Sequence, residues 1–320
     1  MKRLRRSMVI IPGNVPEYLE KCRRLEADVL LIDIQDAIAK VDAAKLQARQ
    51  MVVSTIKAGG FRAGEICVRV NSPGSPWFVE DIKAVVQAGA DSIMLSHAYS
   101  ASDVTLAEGC LHSFAPERKV EILIEVDTPG IMADLDIVAR TSAAVTGLSV
   151  AAYDFALELG ARLFGPDATA SENWITYCRA RVLAVARWKE WNAGDWVGLS
   201  AAKMDASAQA MRVSRGMGFD GVTLIFPRLI PVANEAFGVS AEELSWAQTL
   251  VDEWNKLDGG PEWNKGARTI DGQLIYSPTY EYACRVLKHH AVISGDAGAM
   301  ERFRKFGLAS DEYLVEKRAQ

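Results

Sequence analysis

The 320-residue chain has no run of about eighteen apolar residues, so nothing in it would cross a bilayer as a single helix. The N-terminal stretch lacks the apolar centre of a secretion signal, and a cytoplasmic setting is the expectation. Cysteine is sparse. Cys22, Cys67, Cys110, Cys178 and Cys284 lie far apart, form no CxxC pair and are odd in number. That spacing argues against a disulfide framework or a thiolate metal site, and the five read as reduced, buried small hydrophobes. No GxGxxG or Walker pattern follows any apolar run, which weighs against dinucleotide or ATP binding. Basic excess is absent too: the net charge is −5 and the pI about 5.6, so neither nucleic acid nor an anionic membrane is favoured as a partner. The one basic cluster, Lys2, Arg3, Arg5 and Arg6, reads as a local solvated patch.

What is present is a large core. Apolar residues make up 49% of the chain and charged residues 24%, as in an ordinary globular protein. Short runs rich in Val, Ile and Leu recur at Met8–Ile11, Val29–Ile34, Ile66–Val70, Ser92–Leu95, Val120–Val126, Ala144–Val150, Trp196–Leu199 and Val222–Phe226. Their apolar character on both faces suits strands of a parallel sheet covered on both sides. Helix signals fall between them. Asn14 stands as a cap before Val15–Pro16, Ala43–Lys57 stops at Gly59–Gly60, and Ser171 opens a segment through Trp191. Asp205 opens Ala206–Arg215, and Ser240 with Glu243 makes a capping box ahead of Leu244–Trp254. Eight alternations select an α/β fold, a closed (β/α)8 TIM barrel, over an open doubly wound sheet. The expected division is a catalytic barrel at 1–258 and a C-terminal helical extension at 259–320, a lid or oligomerising arm that includes a helix at Thr279–His290.

In such a barrel chemistry gathers at the carboxyl ends of the strands. Polar groups cluster there: Asp33, Gln35 and Asp36; Arg69 and Asn71; Ser96 and His97; Glu125 and Asp127; Asp154; Arg228. Glu125 stands inside the apolar run Ile122–Val126, where an ionised carboxylate needs a cation or several donors. Two arrangements meet that need equally well: a metal ion shared with Asp154, or a buried ion pair with Arg69. Two carboxylates with no cysteine nearby, and no histidine except His97, suit a hard ion such as Mg2+. The planar fork of Arg69 could grip a substrate carboxylate, or pair with Glu125 or Asp36. His97 has three readings: a base, a ligand, or a loop residue with a packing or hydrogen-bonding role.

Taken in order, these positions resemble the HpcH/HpaI aldolase and citrate lyase β-subunit family, which includes malyl-CoA and citramalyl-CoA lyases. The likeness runs from about Leu4 to Leu287. Arg6–Ser7–Met8–Val9–Ile10–Ile11–Pro12–Gly13 is similar to the RSxLFVPG segment, and Asp33–Ile34–Gln35–Asp36–Ala37–Ile38 to the DLEDAV block. Lys45 with Ala48–Arg49 is similar to the K…AR that follows. Val68–Arg69–Val70–Asn71 resembles VRVN, Ile122–Leu123–Ile124–Glu125 the strand supplying one magnesium ligand, and Tyr153–Asp154–Phe155 the EDF motif supplying the other. The resemblance implies a (β/α)8 barrel, usually a homo-oligomer (trimer or hexamer), with Mg2+ on Glu125 and Asp154. Arg69, Glu125 and Asn71 would meet the substrate, with Asp33, Gln35 and Asp36 supporting them. The implied chemistry is reversible carbon–carbon cleavage of a small 2-hydroxy or 2-oxo acid, or of its CoA thioester.

The chain also departs from the pattern. Gln35 stands where the block has glutamate, and Ser96–His97 replaces Pro–Lys. Gly221–Pro227 lacks the lysine and histidine of GKxxIHP. In Asp271–Pro278, set against DGxMIDxP, Tyr276 replaces the aspartate used as acid/base. A tyrosine near its ordinary pKa of about 10 is a poor base at neutral pH, so His97 becomes the catalytic acid/base candidate beside Arg69 and Glu125. Three readings follow: a metal-dependent lyase with a diverged substrate; a non-catalytic acid- or acyl-CoA-binding protein; or a subunit of a lyase complex.

Overall fold

The computed structural model describes residues 3–161, 173–197, 202–256, 266–270, 272–296 and 298. The strands are β1 (Ser7–Pro12), β2 (Val29–Asp33), β3 (Glu65–Val70), β4 (Ser92–Leu95), β5 (Glu121–Val126), β6 (Val145–Val150), β7 (Asn192–Asp195) and β8 (Gly221–Leu224). They pair in that order, all parallel, and β1 closes on β8. Helices α1 (Pro16–Lys21), α2 (Asp42–Ala58), α3 (Phe78–Ala88), α4 (Ala101–Phe114) and α5 (Pro129–Thr141) follow β1 to β5. After β6 come α6 (Ala152–Glu158) and α7 (Asn173–Trp188); α8 (Met204–Met217) follows β7 and α9 (Ile230–Ala236) follows β8. The expected TIM barrel is the observed fold.

Alternation along the strands sorts the interior into layers, because successive side chains point to opposite faces. Met8, Val29, Leu31, Cys67, Met94 and Leu123 form one buried cluster within the ring. Their neighbours Val9, Leu30, Ile32, Val68, Ile93, Ile122 and Ile124 join the larger cluster under the helices. Two residues before the inner cluster lie Glu65, Ser92 and Glu121; two residues after it lie Asp33, Arg69, Ser96 and Glu125. The barrel therefore has a polar floor, an apolar waist and a charged mouth.

Arg5 plugs the floor. Its guanidinium donates to Glu65 Oε2 at 2.8 Å and Oε1 at 3.0 Å, to Glu121 Oε2 at 2.5 Å, and to Asn192 Oδ1 and Thr146 Oγ1 at 3.1 Å. It is buried, which corrects the reading of the Lys2–Arg6 cluster as solvated. Arg6 likewise holds Asp28 at 2.8 Å. Arg5 and Arg6 are charged because they pair with acids at the closing end of the barrel, while Lys2 lies outside the described residues.

Two local expectations are corrected. Strand seven is Asn192–Asp195; of the expected Trp196–Leu199, Trp196 and Val197 follow the strand and 198–199 lie outside the described residues. Its sequence, Asn-Ala-Gly-Asp, has poor strand propensity, but crowding demands small side chains: a Cβ at Gly194 would come within 3.0 Å of Ser149 Oγ. Asn192 serves Arg5, and Asp195 accepts from Arg179. The first helix is capped at Val15 without a side-chain bond, so Asn14 does not cap it.

The chain divides into two compact units, Met1–Phe237 and Gly238–Gln320. The division expected at residue 258 lies earlier, because α10 (Ala241–Asn255) packs on α11 (Ser277–Ser294) within the second unit. Trp254 stacks on Tyr280 there at 5.4 Å between ring centroids. A short hairpin, β9 (Arg268–Ile270) with β10 (Gln273–Ile275), precedes α11. The expected capping role of Ser240 is present, its side chain accepting from the Glu243 N–H. Ser171, the linker at 259–261, Asp271 and the tail beyond 298 lie outside the described residues. Among the described residues no helix is long and apolar enough to cross a membrane.

Candidate functional site

At the mouth, the register sets Asp33 of β2 beside Arg69 of β3. Arg69 Nε and Nη2 donate to the two oxygens of Asp33 at 3.1 and 2.7 Å, and Nη1 reaches both oxygens of Glu125 at 3.3 and 3.2 Å. The Arg69–Glu125 ion pair, one of the two arrangements open from the sequence, is therefore formed. Burial disfavours the Arg69 charge, but Glu125 and Asp33 more than offset this and hold its pKa raised. Asp33 also accepts the backbone N–H groups of Gln35 and Ala37, at 2.7 and 3.0 Å. Glu125, only 7% exposed, accepts a further bond at Oε2 from the Ser96 hydroxyl. Its Oε1 takes only the long Arg69 contact and keeps lone-pair capacity.

A second group stands beside the first. His97 adopts a left-handed backbone conformation, φ 49°, which few non-glycine residues do. It is held there by Asp127, whose Oδ2 accepts the His97 N–H at 2.6 Å and lies 3.5 Å from Nδ1 of the ring. The other ring nitrogen, Nε2, lies 3.9 Å from Asp36 Oδ2. Asp154, in the first turn of α6, completes the group: one ligand atom each of Asp36, His97 and Asp154 lie within 4.8 Å of one another. Burial raises the pKa of half-buried Asp154; the His97 charge opposes this, and Asp36 and Glu125 add to it. Asp127 is pushed well up by burial and by Glu125, and its Oδ1 is buried without a hydrogen-bond partner.

The two residues expected to share a metal are thus distributed. Asp154 sits with Asp36 and His97, while Glu125 sits with Arg69, near enough for its charge to act on Asp154. Asn71 stands apart from the expected substrate contact. Its amide donates to the Ile34 carbonyl at 3.2 Å and to Asp81 at 2.6 Å, and so fixes the loops after β2 and β3. Gln35 is buried with its Oε1 unpartnered. Tyr276 is exposed in the second unit, immediately before α11.

Several contributors went unassigned in the sequence. Lys45 donates to the carbonyls of Ile34 and Gln35, at 3.2 and 2.6 Å, and so pins the loop carrying Asp36. Arg49 pairs with Asp81 at 2.7 Å. Thr128 caps α5 and donates to the Ala98 carbonyl, tying that helix to the His97 loop. The K…AR pattern carried a signal for the first two. Thr128–Pro129, a cap followed by an early helical proline, carried one for the third.

A family profile described as HpcH/HpaI aldolase/citrate lyase matches residues 6–227. The citrate lyase subunit beta of Leuconostoc mesenteroides subsp. cremoris is 26% identical over 296 residues, covering 90% of this chain and 93% of that protein. A (3S)-malyl-CoA thioesterase of Cereibacter sphaeroides is 27% identical over 270 residues, covering 84% and 89%. Among solved structures, Mycobacterium tuberculosis CitE in complex with magnesium, acetoacetate and coenzyme A superposes with a TM-score of 0.72 at 24% identity, covering 91% of this chain and all of that one.

Proposed function

Because the chain belongs to the HpcH/HpaI aldolase/citrate lyase family, we propose that it is a divalent-metal-dependent carbon–carbon lyase acting on a small 2-hydroxy or 2-oxo acid, free or as its CoA thioester. One observation carries the reading: carboxylates outnumber cations at the mouth. Asp33, Asp36, Glu125, Asp127 and Asp154 face the charges of Arg69 and Lys45. Such a surplus in a half-buried pocket is relieved by a bound cation or by protons. The residues fit Mg2+, since the donors are hard oxygens, Glu125 Oε1 keeps lone-pair capacity and Asp127 Oδ1 is unpartnered. Glu125 and Asp154 would hold the ion. Bound there, it supplies Lewis acidity toward the oxygen at the 2-position of the substrate.

The chain's own part is orientation. Asp33 grips the Arg69 fork through two donors, and Glu125 takes the third nitrogen. Guanidinium carries five N–H hydrogens, so Arg69 keeps donor capacity for a substrate carboxylate while its plane stays fixed. A carboxylate held on a prearranged fork presents its neighbouring carbon in one orientation, which lowers the entropic part of the barrier. Free, buried cysteines agree with a reducing, cytoplasmic setting, and a homo-oligomer belongs to the same reading.

The test is an assay of purified protein with Mg2+ against 2-hydroxy acids, their CoA esters and 2-oxo acid pairs, scoring carbon–carbon products separately from free thiol. Cleavage products that vanish in Glu125→Gln are expected. Thiol release without cleavage would make it a thioesterase. Acid binding by calorimetry with no turnover would replace the reading with a non-catalytic binding protein, which Gln35 and Tyr276 favour.

A further inference from the structure

We propose that Ser96 is a positioning residue for Glu125: its buried hydroxyl fixes the carboxylate so that one oxygen, Oε1, stays open to Mg2+. The inference rests on the reading that Glu125 and Asp154 hold the ion, and it adds how the first of them is kept ready. β4 and β5 run in register with Leu95 beside Ile124, so the next residues, Ser96 and Glu125, meet one step past the apolar waist. Ser96 is 1% exposed and donates its hydroxyl to Glu125 Oε2. Arg69 Nη1 reaches the same carboxylate at 3.2 and 3.3 Å. Both holders come from β3 and the end of β4, whereas Asp154 follows β6, the neighbour of β5 on its other flank.

The hydroxyl does what Arg69 alone would not. That guanidinium is divided between Asp33 and Glu125, and the same fork is the group assigned to the substrate carboxylate. A glutamate tethered only to it would be loosened as substrate binds. A neutral hydroxyl brings no positive charge to repel the ion, yet it restricts torsions that the ion would otherwise have to freeze. Carboxylate ligands of metal ions are themselves hydrogen-bonded, and those partners set affinity.

The other end of β4 carries the contrast. Ser92 donates to Glu65 Oε1 at 2.5 Å, the same serine–glutamate bond at the barrel floor. There Arg5 takes both Glu65 oxygens, at 2.8 and 3.0 Å, and neither is left open. At the mouth, Glu125 Oε1 has only the 3.3 Å contact. One kind of bond closes a carboxylate at one height and holds another ready at the next.

The experiment titrates the full chain, stripped with chelator, with Mg2+ in a calorimeter. Ser96→Ala should bind about tenfold or more weakly than wild type, the usual loss when the hydrogen-bond partner of a metal ligand is removed. Ser96→Thr, which keeps the hydroxyl, should bind as wild type does. Ser92→Ala should lower the Tm in chelator yet leave Mg2+ affinity unchanged, a separation that two merely structural serines would not give. Wild-type affinity in Ser96→Ala, equal losses in both alanine variants, or a folded Ser96→Thr as weak as Ser96→Ala would overturn the inference and leave the Glu125–Asp154 site standing. If the added methyl unfolds Ser96→Thr, the two alanine variants decide alone. No Mg2+ binding by folded wild type would overturn both readings.

Discussion

Replacing Arg69 by methionine removes the charge that joins two strands at the barrel mouth while keeping most of the aliphatic volume. The side chains of Asp33 and Glu125 are only 2% and 9% exposed, so each carboxylate would be left buried beside the other. Removing one partner of a buried ion pair costs about 3–5 kcal/mol. Asp33 retains the N–H bonds of Gln35 and Ala37, and Glu125 retains the Ser96 hydroxyl, so the low end, about 3 kcal/mol, is the appropriate figure. In a unit of this size that corresponds to a fall in Tm of about 6–12 °C, measured by calorimetry or circular dichroism in chelator. Adding Asp33→Asn should recover part of the loss, since one orphaned charge disappears. Added divalent cation should raise the Tm of Arg69→Met more than that of the wild type. A fall of less than about 2 °C would refute the reasoning and make Arg69 a loosely held substrate group.

At the floor, Glu121 titrates low: burial opposes its charge, but the Thr146 hydroxyl and the Arg5 guanidinium outweigh it. A carboxylate depressed on folding contributes stability above its ordinary value of 4.5 and loses it as pH falls through the lowered value. Glu121→Gln should therefore cost stability near neutrality and progressively less as pH falls below 4.5, read by urea unfolding across pH; a constant difference would contradict this. The thiols should resist labelling. Burial pushes Cys22 up to about 11 and Cys178 to about 12, and all five are buried, so a disulfide reagent at about pH 8 should react only after denaturation. Rapid labelling of the native protein would count against the core described. Gly221→Ala would place a Cβ 1.9 Å from the Arg5 carbonyl oxygen where β8 closes on β1. It should cost upwards of about 3 kcal/mol by thermal melt. Gly109→Ala, in open space on α4, should instead stabilise by about 0.5–1 kcal/mol.

The barrel was legible because its strands are buried on both faces, and continuous Val/Ile/Leu runs mark them. β4 begins and ends where its run does, at Ser92 and Leu95. β7 was not legible for the opposite reason. Asn192 and Gly194 are chosen by what crowds them, Arg5 and Ser149 from other strands, and a local window contains neither. The same limit hid the split at Phe237, because α10 reads as another barrel helix until its apolar face is found against α11.

For the site, alternation was the missing step. Glu65 immediately precedes one apolar run, Glu121 and Glu125 stand in another, and all three project inward. They differ in height: the first two lie on one side of the apolar waist, level with Arg5, and the third on the other side, level with Arg69. At the floor, every oxygen of Glu65 has a close donor, and its charge and that of Glu121 are met by Arg5 and Arg3. At the mouth, one guanidinium is divided between Asp33 and Glu125, and the Asp127 and Asp154 carboxyls are both pushed up by burial and by Glu125. The floor is satisfied by protein alone; the mouth keeps a surplus of carboxyls, which a bound cation or protons would relieve. Two rings of charge built from the same residue types thus divide into a structural plug and the proposed cation site. What separates them is the ratio of acids to bases at each height, a quantity fixed by register.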